Sequence, residues 1–376
     1  MVRITREGMW AAVACILISF FSSISLQASG IFLPLFASDI GASKLQIGVI
    51  GGVYGAAYLV SSLFFGRQSD MRGRLPFIRA GLGLATLGYA LQILVKSPDT
   101  LIAVRAALGF CIAMSDAALM AYNFESSGRT GRFVSLAALG WLFGGMISIF
   151  YHNYQGLFLL SCVTCAVAFS ITWSLPREKQ RHTLRPSYGR TISRNARIYF
   201  PFLMRNVGGN MVWFILPLFL VSLGANQSWV AILQCVNTGT QFIIMMFVDK
   251  MKASFLFIVG LLMSGVVFIG YALARSYTQV VPVQVILAVS WSFLYIGALL
   301  LLFKSNEERA TTTAVLLSTG SLSQAVGPFI GGTVAQVWGY QPLMYVASAF
   351  CLAGVGIARI PAKRTRRNEP EPLPGT

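Results

Sequence analysis

The chain has 376 residues, 56% of them apolar and only 11% charged, against roughly 25% charged in an average soluble domain. Twenty-seven Phe, 13 Tyr and 7 Trp in so uncharged a chain would leave a water-soluble globule covered in apolar patches, and the same numbers exclude a disordered chain, a coiled coil, a collagen and a disulfide scaffold. The 29 Lys and Arg, against 12 Asp and Glu, fall between long apolar runs, which points to a bilayer rather than to nucleic acid.

A helix needs about 20 mainly apolar residues to cross the hydrocarbon core. Twelve segments qualify: 9–37, 45–65, 76–95, 100–122, 133–151, 156–175, 198–223, 228–248, 254–274, 280–303, 312–336 and 341–359. The chain therefore reads as an all-α integral membrane protein of twelve transmembrane helices. Strand alternation is absent, so a barrel is excluded. Arg3 and Arg6 before the first run resemble a signal peptide, but apolar character continues through Ile31–Phe36 without a small-residue cleavage site, so a retained span is expected. Pro34 and Pro217 are natural kink sites. The basic segment 176–197 divides the chain into six-helix halves at 1–175 and 198–360, and a tail occupies 361–376.

With the N-terminus inside, 24 of the 29 Lys and Arg fall on the inner side. Only Lys44, Lys96 and Arg275 lie outside, while Arg105 and Arg205 lie within the membrane. The positive-inside rule thus predicts a plasma or inner membrane protein with both termini and the linker in the cytoplasm. The inner charges also suit contact with anionic lipid. All six Cys fall within spans, so no extracellular disulfide framework is available. Cys162-Val163-Thr164-Cys165 reads as core packing.

Residues 33–42, LPLFASDIGA, reappear as LPLFLVSLGA at 216–225, an offset of 183. The same offset carries Glu125 onto Glu308 and Gly144-Gly145 onto Gly327-Pro328. Two halves repeated in parallel are a transporter plan, with a small-molecule substrate site between them near the midplane.

Segment Gly66-Arg67-Gln68-Ser69-Asp70-Met71-Arg72-Gly73-Arg74 resembles the loop 2–3 signature G-x-x-x-D-x-x-G-R of the major facilitator superfamily. Arg105-Ala106-Ala107-Leu108-Gly109 is similar to that family's R-x-x-x-G element. Asn306-Glu307-Glu308-Arg309-Ala310 and Gly327-Pro328-Phe329-Ile330-Gly331-Gly332 resemble its second-half elements, so the resemblance covers residues 8–360. It implies the major facilitator fold and a conformational latch of Gly66, Asp70, Gly73, Arg74 and Glu125 that favours an outward-open state. Physically, Asp70 can accept helix N–H groups and pair with the nearby arginines; the alternative is a topogenic cluster of solvated arginines. Met71 and Leu75 depart from the pattern where family members often carry a base. Among family members the chain looks most like twelve-span drug/proton antiporters, yet span five, at Gly140–Ser148, lacks their G-x-x-x-G-P-x-x-G-G.

Charges inside the bilayer each cost at least ~2.5 kcal/mol at mid-membrane, so they mark function. Arg105 and Asp116 are 11 residues apart, which places them about 20° apart on one helix face with a rise of about 16 Å. Asp116 is the one deep carboxylate and the simplest proton-binding site; with Arg105 it is the predicted coupling pair, the alternative for Asp116 being a structural acceptor. In the family resemblance, span four lines the cavity. Arg205 is followed by Asn206, Asn210 and Trp213 at helical spacing, the pattern of a cavity wall; snorkelling of Arg205 to inner headgroups is the alternative. Gln27, Gln234, Asn237, Trp291 and Tyr295 are further cavity candidates, with Tyr54, Tyr58, Trp141 and Gln324 weaker ones. His152 and His182 fall in loops and suggest no relay.

HExxH, GxSxG, P-loop and metal-spaced His/Cys patterns are all missing, so neither an enzyme nor a cofactor or metal is expected. The expected activity is proton-coupled efflux of amphipathic, drug-like compounds by a monomer. Uptake of a small polar solute through the amide set, or of an organic anion through Arg105 and Arg205, is the alternative within transport. A non-transporting receptor or a lipid scramblase is the alternative of another class.

Overall fold

A computed structural model describes residues 6–127, 130–176, 188–248, 251–305 and 309–359. All regular structure among them is helical. The first half comprises α1 (Arg6–Gly30), α2 (Leu33–Asp39), α3 (Lys44–Arg72), α4 (Leu75–Ile93), α5 (Pro98–Ser127), α6 (Thr130–Phe150) and α7 (Tyr154–Ile171). A short helix α8 (Tyr188–Arg194) stands in the predicted linker, of which 177–187 lie outside the described residues. The second half comprises α9 (Ala196–Trp213), α10 (Leu216–Ser222), α11 (Gln227–Phe247), α12 (Ala253–Leu273), α13 (Tyr277–Ser305), α14 (Arg309–Val337) and α15 (Tyr340–Arg359).

Each of the twelve predicted segments falls on helix, the first on α1 and α2 and the seventh on α9 and α10. Among the described residues, seven stretches are long and apolar enough to cross a membrane, and the pair α9 and α10, bent by 47°, makes eight. The other four segments lie on α4, α6, α11 and α14. Polar side chains lower two of them: Arg79 and Gln92 on α4, and a Ser/Thr-rich first half on α14. On α6, Ala137–Phe150 is apolar among the described residues.

Both breaks follow from proline. Pro34 and Pro217 occupy the first turn of α2 and α10, where the missing N–H is no loss but the preceding helix cannot continue. The repeat is then kept bond for bond. Gly41 and Gly224 both take φ 89°, a left-handed turn that only glycine enters at little cost. Ala42 N–H donates to Ala37 O at 2.9 Å and Ala225 N–H to Leu220 O at 3.0 Å, closing each short helix in the same way. Ser43 and Asn226 then cap α3 and α11 through the backbone N–H of Gln46 and Trp229. Deeper in the bundle, a Cβ on Gly144 would meet Gln27 Cβ at 2.9 Å, and one on Gly327 would meet Asn210 Cβ at 2.6 Å. Those two partners are again 183 residues apart.

Within the first half α1 packs on α6 and α7, α3 on α5, and α4 on α5 and α7; within the second, α9 packs on α14 and α15, α11 on α13, and α12 on α13 and α15. The halves meet through α3 with α14, α6 with α11, and α2 with α10. The α3–α14 seam is backbone against backbone. A Cβ on Gly48 would lie 2.8 Å from Gly332 Cα, and one on Gly52 would lie 3.0 Å from Ala325 O. On the α6–α11 seam a Cβ on Gly145 would lie 2.9 Å from Cys235 Sγ. All of these contacts lie toward the end that carries Asp39, Lys44, His152 and Asn226. Further along the same helices, Gly66 and Gly320 have open space where a Cβ would go. The bundle is closed at the Asp39–Lys44 end.

Candidate functional site

In the first half, α3 and α5 hold a four-residue array. Gly109 lets α5 come close to the Tyr54 carbonyl, and Ser61 Oγ donates to Phe110 O at 2.6 Å. Tyr54 and Tyr58 follow one another by one turn of α3, their ring centres 6.4 Å apart. The Arg105 guanidinium sits 4.5 Å from the Tyr54 ring centre, a cation–π contact worth about 0.5–2 kcal/mol. The Tyr58 hydroxyl donates to Asp116 Oδ2 at 3.2 Å. Arg105 is buried, and its Nε and Nη1 have no hydrogen-bond partner among the described residues. Among the described residues Asp116 is therefore held by a phenol and not by an arginine, and the two charges of α5 are bridged by two neighbouring tyrosines of α3.

In the second half, Arg205 is buried on α9 and does not snorkel. Its Nε donates to Ser264 Oγ on α12 at 3.0 Å, and its Nη1 lies 3.5 Å from Asn206 Oδ1. Ser264 continues to Ser290 of α13 at 2.6 Å. The guanidinium rests 4.7 Å from the Trp291 ring centre. Trp291 stacks on Tyr295 at 5.7 Å, and Phe202 lies against both. Asn210 Nδ2 donates to Asn206 O and to Ser323 Oγ of α14, both at 3.0 Å, while Asn206 Nδ2 is buried without a partner among the described residues. Trp213 packs on the large apolar cluster.

The remaining candidates are spread out. Gln27 is buried on α1 behind Gly144, and Gln234 is buried on α11. Asn237 is tied between helices, donating to Gln284 O at 3.1 Å and accepting from Gln241 Nε2 at 2.6 Å. Of the latch, Gly73 ends α3 at φ 91°, which glycine alone adopts freely, and Arg74 is buried at the start of α4. The side chains of Asp70 and Glu125 lie outside the described residues. All six cysteines are free, and Cys162 and Cys165 donate to the α4 carbonyls of Thr86 and Leu82 at 3.5 and 3.6 Å. No group of three metal ligands occurs among the described residues. The reading of single residues missed Ser264, Ser290 and Ser323, because a helical serine looks the same whether it packs or bonds a buried polar side chain.

The family model described as Major Facilitator Superfamily matches residues 15–305 and 209–375. The chain belongs to this superfamily. It is 26% identical over 346 residues to the Inner membrane transport protein YajR of Escherichia coli (strain K12), covering 85% of this chain and 74% of that protein. It is also 26% identical over 172 residues to Multidrug resistance protein D of the same organism, covering 42% and 43% of the two. Among solved structures, a point mutant of the nucleoside transporter NupG superposes with a TM-score of 0.79 at 12% identity, over 93% of this chain and 98% of that one. A bacterial homologue of the human lysosomal transporter Spinster, inward-facing and occupied, superposes at 0.75 with 16% identity, over 94% and 96%. These likenesses establish the helical membrane fold and membership of a family of transporters.

Proposed function

We propose that this multi-pass membrane transporter exports amphipathic, drug-like compounds in exchange for protons, by rocking its halves about a central site. The observation that carries the reading is Asp116, a lone deep carboxylate bonded to Tyr58 on an aromatic wall. A buried charge cannot cross hydrocarbon cheaply. Protonation of Asp116 removes its charge, so the halves can re-close without carrying an ion through the bilayer. The Tyr58 hydroxyl serves either form, donating to the carboxylate and remaining in place beside the acid. The aromatic set Tyr54, Tyr58, Phe202, Trp291 and Tyr295 suits flat apolar cargo, and one relative is named Multidrug resistance protein D.

The charge split supports a closed end that faces outside, with both termini and the linker in the cytoplasm. The latch of Gly66, Asp70, Gly73, Arg74 and Glu125 then forms when the inner end closes, in the outward-open state. The transporter works as a monomer in the plasma or inner membrane.

Organic-anion transport is a second reading, favoured by Arg105, whose Nε and Nη1 are buried without partners among the described residues. Uptake of a polar solute draws less support, because Asn210 and Asn237 already bond across helices. Proteoliposome flux driven by an imposed proton gradient separates these, with cationic dyes, sugars and organic anions as cargo. Asp116→Asn should abolish uphill dye movement and leave downhill exchange measurable. Uphill transport by Asp116→Asn with unchanged pH dependence refutes proton coupling at this residue.

A further inference from the structure

At the closed end the apolar seams are capped by polar groups that reach from one half to the other. Tyr154, at the start of α7, donates its hydroxyl to Asp39 Oδ2 at 2.8 Å and accepts from Gln227 Nε2 at 2.9 Å. Next along α11, Ser228 Oγ lies 2.9 Å from His152 Nε2 and donates to Ile149 O at 3.1 Å. Across the other seam, the Lys44 backbone N–H donates to Gln336 Oε1 at 3.0 Å, and the Lys44 ammonium sits 4.3 Å from the Tyr340 ring centre. A cleft of about 470 Å³ opens beside Tyr154, Gln227, Ser228 and His152, so water reaches these groups as they part.

The chemistry of these bridges is neutral where the halves touch most directly. The Ser228 hydroxyl has one proton: donating it to Ile149 O leaves a lone pair for the Nε2–H tautomer of His152, and turning it to a bare Nε2 gives up Ile149 O, so either neutral tautomer keeps a bond between the halves. Asp39 is engaged by Tyr154 of its own half and takes no cation from the other among the described residues. A neutral hydrogen bond exchanged for water is weak enough to be made and broken in each cycle, whereas a desolvated ion pair broken on one side is costly.

We propose that the Tyr154–Gln227 and His152–Ser228 pairs form a neutral clasp that sets how often the closed end of the bundle opens. The clasp rests on the alternating-access reading, with that end outside. Beneath it lies a native reporter, Cys235, whose Sγ packs against Gly145 across the α6–α11 seam.

The test follows the rate at which a membrane-impermeant maleimide, added outside right-side-out vesicles of the intact chain, modifies Cys235, read by mass spectrometry of its peptide. Tyr154→Phe and Ser228→Ala should each raise that rate roughly fivefold, the effect of one net hydrogen bond. Together they should multiply to about 25-fold, because they break separate bonds. Gln227→Leu removes the same bond as Tyr154→Phe from the other half, so that pair should give no more than either alone; it also replaces the first pair if that inserts poorly. A wild-type rate in both Tyr154→Phe and Gln227→Leu, or full multiplication between them, overturns the clasp. Loss of dye flux in proteoliposomes with these labelling effects intact would count against the transport reading alone.

Discussion

The α3–α14 seam turns a single methyl group into a test of the rocking motion. Gly48→Ala places a Cβ 2.8 Å from Gly332 Cα and closer still to the Pro328 carbonyl. Both are backbone atoms, so no rotamer change relieves them. Ordinary contact begins near 3.4 Å, so α14 must withdraw by about 0.6 Å at Gly332 and by more at Pro328. Overpacking of this kind costs about 1–3 kcal/mol. Because α3 and α14 belong to different halves, the cost falls on the closed end and vanishes when that end opens. The opening equilibrium should therefore rise roughly 5- to 150-fold. Spin labels at Lys96 and Arg275, which are exposed at the closed end of each half, would report this as a loss of the wild-type interlabel distance and growth of a longer one. Gly320→Ala enters open space and should leave the distances unchanged. A wild-type distance distribution in Gly48→Ala would refute the seam as the moving interface.

Two further outcomes bear on the loops. Asp70→Asn keeps size and removes charge, so transport should fall at least about tenfold while membrane abundance stays near wild type; transport at the wild-type rate reduces the 66–74 cluster to a topology signal. A cysteine at Ser187 in a cysteine-free chain should resist impermeant maleimide on intact cells while one at Asn226 reacts, and the reverse pattern inverts the membrane orientation.

What could be read from sequence was whatever depends on neighbours along the chain. Apolar runs gave the helices, Pro34 and Pro217 gave the breaks, and the paired LPLF…GA segments anticipated two identical glycine turns, since φ 89° at Gly41 and Gly224 is a local demand. What stayed hidden depends on which helix faces which. Tyr54 and Tyr58 stood only as weaker cavity candidates until α3 was seen beside α5. Arg205 looked like half of an anion clamp, yet Ser264 and Trp291, 59 and 86 positions away, occupy its donors and its face. Asn237 looked like a cavity amide, yet its partner is a backbone carbonyl on α13. No periodicity along one helix encodes the register of another.

The two halves agree in their mechanics and differ in their charges, and the difference falls where chemistry is needed. At the offset of 183, Gln27 and Asn210 stand at matching places behind matching glycines, and Ser43 and Asn226 cap matching helices. The same offset takes Arg105 onto Ala288, Asp116 onto Leu299 and Arg205 back onto Ser22. Both deep arginines rest on an aromatic ring, Tyr54 in one half and Trp291 in the other. Only Arg205 has its Nε and Nη1 engaged inside its own half, while those of Arg105 stay open among the described residues and the one deep carboxylate stands on the same helix. A buried donor without a partner costs about 1–3 kcal/mol, and more when charged. Arg205 thus has hydrogen-bond partners within its own half, and the Nε and Nη1 of Arg105 have none among the described residues. Under the proposed function, proton and substrate are the species that would engage Arg105 and Asp116, which assigns coupling to α3 and α5 and leaves the second half as the surface against which they move.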